Sequence, residues 1–73
     1  MKLKNNEEFD LARLQYSIIE ENLEKLDDLF DEIELSEELS EEELNKKIKE
    51  SIGITEKLIE FSNLIKTKLT QQL

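Results

Sequence analysis

The chain contains no cysteine, histidine, proline or tryptophan, and has one glycine, one tyrosine and three phenylalanines among its 73 residues. Without thiols there are no disulfide staples and no cysteine nucleophile. Without imidazole, the commonest general base and the usual zinc or haem ligand are missing. With no proline and one glycine, the chain lacks the residues that tight hairpins and irregular loops require. The hydroxyl nucleophiles are Ser, Thr and Tyr, with no histidine to activate them and no Gly-rich loop to cradle a phosphate or an oxyanion. No apolar run approaches the ~18 residues of a membrane span, and Met1–Glu8 has none long enough for a secretory signal. These absences predict one small all-α domain, cytoplasmic, non-enzymatic, without cofactor or metal.

Acid is what the chain has in excess. Nineteen Asp and Glu against ten Lys and Arg give a formal net charge of −9, which disfavours anionic membranes and direct binding to nucleic acid. The charge is uneven. Residues 1–44 carry sixteen acids and four bases, and residues 45–73 three acids and six bases. Opposite signs in the two halves suit an antiparallel pair of helices folded from one chain.

Phe9, Ala12, Tyr16, Ile19, Leu23, Leu26, Phe30 and Ile33 follow an unbroken 3-4 alternation, the heptad signature of a long helix packed in coiled-coil fashion. Asn5 or Asn6 is a suitable N-cap, and Glu7, Glu8 and Asp10 suit the positive end of the helix dipole. The expected organisation is a flexible stretch over 1–6, a first helix over 7–35, a connection over 36–40 and a second helix over 41–71. Ser40-Glu41-Glu42-Glu43 reads as a capping box, with Leu39 and Leu44 placed as a hydrophobic staple around it. So short a connection makes the helices antiparallel neighbours, and the fold is read as a two-helix hairpin. Its seam is predicted at the eight heptad residues above together with Leu44, Ile48, Leu58, Ile65 and Leu69.

Gly53 is the one ambiguity. Ser51-Ile52-Gly53-Ile54-Thr55 could close one helix and open another, giving three helices, or run on as one helix at a cost of ~1 kcal/mol for the glycine. Continuity is favoured because the apolar face keeps its phase. The stretch from Ile48 to Leu69 also resembles the helix-turn-helix of bacterial regulators, with Ile48, Ile52, Gly53, Ile54 and Ile59 at the pattern's apolar and glycine positions. That resemblance implies a DNA-binding regulator. Lys49 departs from it where the helix crossing usually has Ala, and Leu58, Phe61 and Leu64 stand where a recognition helix is polar.

The acidic surface is expected at Glu20, Glu24, Asp27, Asp28, Asp31, Glu32, Glu34, Glu37 and Glu38. An EF-hand is excluded there for want of the central glycine and alternating oxygen ligands. The plain reading is a solvated helix face beside Lys46, Lys47 and Lys49. The sharper one is a carboxylate array that imitates nucleic-acid phosphates, as in small inhibitors from phages and mobile elements, and occupies a basic nucleic-acid-binding protein.

Leu11, Leu14 and Ile18 on the first helix, with Ile54, Phe61 and Leu64 on the second, widen the apolar arcs past a single seam near the open end. Two helices cannot bury all of them, and a core this small supplies only a few kcal/mol by itself. These six residues are therefore predicted to form an interface, either with a second copy, completing a four-helix bundle, or with a protein partner. The expected function is protein–protein interaction, as an adaptor, antitoxin-like or inhibitor module.

Overall fold

A computed structural model describes residues 3–35 and 37–73. They form two α-helices, α1 (Asn6–Leu35) and α2 (Glu41–Thr70), packed antiparallel along their length in a rod of 55 × 15 × 13 Å. No strand occurs among the described residues. Met1, Lys2 and Ser36, in the expected flexible stretch and connection, lie outside them.

Both helices begin where their caps dictate. The Asn5 side-chain oxygen accepts the Glu8 N–H at 3.1 Å, and the Asn5 carbonyl accepts the Phe9 N–H. At α2 the extended Ser40 accepts the Glu43 N–H at 3.1 Å, with Glu41, Glu42 and Glu43 in the first turn. Each bond satisfies a backbone donor that the helix itself leaves free. Leu39 and Leu44 flank the Ser40 cap and are both half-buried.

Residues 41–70 form one uninterrupted helix, so the chain makes no turn at Gly53. The three-helix alternative does not form, and the helix crossing on which the helix-turn-helix resemblance depends is absent. A Cβ built on Gly53 meets nothing within 4 Å. Gly53→Ala should therefore raise stability by about 1 kcal/mol, through the backbone freedom that glycine loses in a helix. In a thermal melt followed by circular dichroism this should raise Tm by roughly 4–8 °C. An unchanged or lower Tm would mean that α2 is relaxed at this point.

Polar contacts set the register. Glu32 pairs with Lys47 at 2.6 Å and Glu8 with Lys68 at 2.8 Å. Asn5 and Gln72 exchange two hydrogen bonds at 3.1 and 2.9 Å, and Lys4 Nζ donates to the Leu73 carbonyl. Facing residues thus have numbers that add to 76–79.

Between the helices lie Glu8, Ala12, Gln15, Ile19, Asn22, Leu26, Leu29 and Ile33 of α1, against Leu44, Lys47, Ser51, Ile54, Leu58, Phe61, Ile65 and Lys68 of α2, all buried or half-buried. Seven of the predicted seam residues are there: Ala12, Ile19, Leu26, Ile33, Leu44, Leu58 and Ile65. Phe9 is half-buried at the margin, whereas Tyr16, Leu23, Phe30, Ile48 and Leu69 are exposed. The seam has rotated by one column of the heptad, from 9-16-23-30 to 8-15-22-29. The cause is polar: the Glu8–Lys68 and Glu32–Lys47 pairs hold that side of α1 towards α2, and the aromatic column is left outside.

Candidate interaction surface

In an antiparallel pair, the residues that follow each seam position by one lie on the same side of both helices. Here that side carries Tyr16, Leu23 and Phe30 from α1, 57, 50 and 48% exposed, with Phe9 at its margin. From α2 it carries Ile48, Ile52, Ile59 and Leu69, also exposed, on the same heptad spacing as Thr55, Ser62 and Lys66. Phe30, Ile33, Ile48 and Ile52 share the wall of one open depression of about 260 Å³, so the two columns adjoin. The result is an apolar strip that runs most of the length of the rod.

The opposite side differs. Leu11, Leu14 and Leu64 are exposed near the open end, and Ile18 is half-buried beside them. Towards the connection that side carries Glu21, Lys25, Asp28, Glu50 and Lys57. Ile54 and Phe61, grouped with this patch from the sequence, sit in the hairpin seam because their heptad column faces α1. The six predicted interface residues therefore divide between a short patch and the core, and the strip is the larger apolar surface. Spacing alone does not mark it, because the polar recurrence of Glu8, Gln15 and Asn22 every seven residues favours the aromatic column for the seam.

The seam is partly polar, and most of those groups are paired. Ser51 Oγ donates to the Lys47 carbonyl at 3.0 Å and Asn22 Nδ2 to the Ile18 carbonyl at 2.8 Å. Gln15 Oε1 is buried with no hydrogen-bond partner. The hydrogen bond to Glu32 holds the Lys47 ammonium above its ordinary value of 10.5, with Glu50 and Glu43 adding to the effect and desolvation opposing it.

All nine predicted acidic-surface residues are exposed, from Glu20 to Glu38. Among the described residues only Glu32 of these forms an ion pair. No group of three or more carboxylates there is placed to hold a metal ion, and no described helix is long and apolar enough to cross a membrane. No protein-family model, curated protein or solved structure matches the chain significantly.

Proposed function

We propose that this protein is a non-enzymatic interaction module, and that the apolar strip along one side of the hairpin is its docking surface. One observation carries the reading. Among the described residues only two apolar side chains, Ala12 and Leu26, are buried, while the strip leaves seven large apolar residues in solvent. A continuous exposed apolar surface marks an interaction site far more often than scattered single residues do. The strip replaces the open-end patch as the preferred surface because it is longer and includes two aromatic side chains.

The absence of cysteine makes the test direct. Leu23→Cys and Ile59→Cys each place one thiol on the strip, and Lys57→Cys places one on the other side as an accessible control. In extract of the producing cell, the strip thiols should react with a maleimide several-fold more slowly than the control. Equal rates at all three positions would show an uncovered strip and overturn the reading.

A second reading has its own support, the exposure of the acidic row from Glu20 to Glu38. Under it the carboxylates recognise a basic nucleic-acid-binding protein in place of nucleic acid. Charge-led binding weakens steeply with ionic strength, whereas apolar docking barely responds.

A further inference from the structure

Resting on the apolar strip as docking surface, we infer that its occupant is a second copy of this chain, laid face to face with its connection at the opposite end of a four-helix bundle. A helix with one neighbour turns the centre of its apolar arc towards that neighbour. In α1 the arc is made of the column Ala12, Ile19, Leu26 and Ile33 and the exposed aromatic column beside it. The seam column on its other side carries polar Glu8, Gln15 and Asn22, so the centre lies between the first two. The arc therefore points between α2 and the strip. That is the diagonal on which a helix in a bundle of four finds its core, with one neighbour on each side.

The register closes on itself. Laid antiparallel on its own copy, α1 forms layers of Ala12 on Phe30, Tyr16 on Leu26 and Ile19 on Leu23, centred on residue 21. The contacts within the hairpin place residue 21 beside residues 55–58 of α2. Centred on residue 57, α2 on its own copy gives Ile48 on Lys66, Ile52 on Ser62 and Thr55 on Ile59. Each polar residue of the strip thereby meets an isoleucine, and the Lys66 stem can lie along its partner with the ammonium in water. Two helices about 45 Å long, side by side, offer about 800 Å² per copy, which is the size of a standard stable interface.

Charge selects the orientation. Residues 21–57, the half next to the connection, hold fourteen acids and five bases. The remaining residues, at the open end, hold five of each. The whole net charge of −9 thus belongs to one half of the rod. Connections at the same end would set two such halves side by side. At opposite ends each lies along a neutral half, and the two charged halves are separated by more than the ~8 Å screening length of physiological salt. This orientation also brings Arg13, the only arginine, to the level of Asp27 on the second copy, along the outer edge of the strip.

Two measurements test it. The purified chain should sediment as a dimer at micromolar concentration. Glu38→Cys, spin-labelled, should give a label-to-label separation of roughly 45 Å, a helix length. Connections at the same end would bring the labels within about 25 Å, since neighbouring helices lie 8–10 Å apart. Arg13→Asp and Asp27→Arg should each weaken the dimer about ten-fold, and the double swap should restore it. A monomer, a short separation, or a swap that fails to restore would each overturn the inference. If the pure chain is a monomer while the strip thiols stay protected in extract, the docking surface stands and the second copy is not its occupant.

Discussion

Leu26→Ala should unfold the hairpin at room temperature. Leu26 is 9% exposed, lies at the level of Ser51 across the seam, and among the described residues is the one large apolar side chain that is buried. Truncating a buried leucine typically costs 2–5 kcal/mol, as lost transfer energy and an incompletely closed cavity. A core of this size supplies only about 3–5 kcal/mol in total. The helical signal at 222 nm should therefore fall to that of a largely unfolded chain. Leu35→Ala is the matched control, since Leu35 is 80% exposed and its truncation should move Tm by no more than about 2 °C. Both variants must be compared at one protein concentration, because association adds to apparent stability. If Leu26→Ala melts within a few degrees of the parent, the seam described above is in the wrong place.

The second large effect separates folding from association. Leu23→Glu puts a carboxylate at a half-exposed position of the strip, so the isolated hairpin should keep its helical content. In a face-to-face dimer the same carboxylate is buried twice, once per copy. At about 2 kcal/mol for each unpaired polar group, the dissociation constant should rise at least ~10³-fold. Ile52→Glu should behave the same way. Leu14→Glu, 60% exposed on the opposite side, should leave association unchanged. Sedimentation of the three variants at equal concentration decides the matter. Dissociation by Leu14→Glu alone would return the interface to the open-end patch.

The helices and their starts were legible in the residues. Asn5 and Ser40 act where their side chains predict, and the heptad spacing on α1 correctly announces one long helix. Continuity through Gly53 was legible too, because Ile48, Ile52, Thr55 and Ile59 keep helical phase across it. The side of α1 that faces α2 was not. Spacing reports the period of an apolar pattern, but the direction of the arc shows only once a neighbour is placed. Polar Gln15 and Asn22 sit inside while Tyr16 and Leu23 sit outside, against the simplest transfer argument. That inversion makes sense when α1 has more than one neighbour to satisfy. Ile54 and Phe61 lie in the seam for a related reason, since both belong to the heptad column of α2 that the register turns towards α1.

The near-constant sum of facing residue numbers also bears on how the two arms meet. The stretch of chain enclosed by each rung lengthens steadily from the connection to the termini, from 15 positions at Glu32–Lys47 to 69 at Lys4–Leu73. Loop-closure entropy grows with the logarithm of that length, so the terminal rung costs about 1.4 kcal/mol more to close than the one beside the connection. The arms therefore join most readily at Glu32–Lys47 and part most readily at Lys4–Leu73, and the hairpin frays from its termini inward.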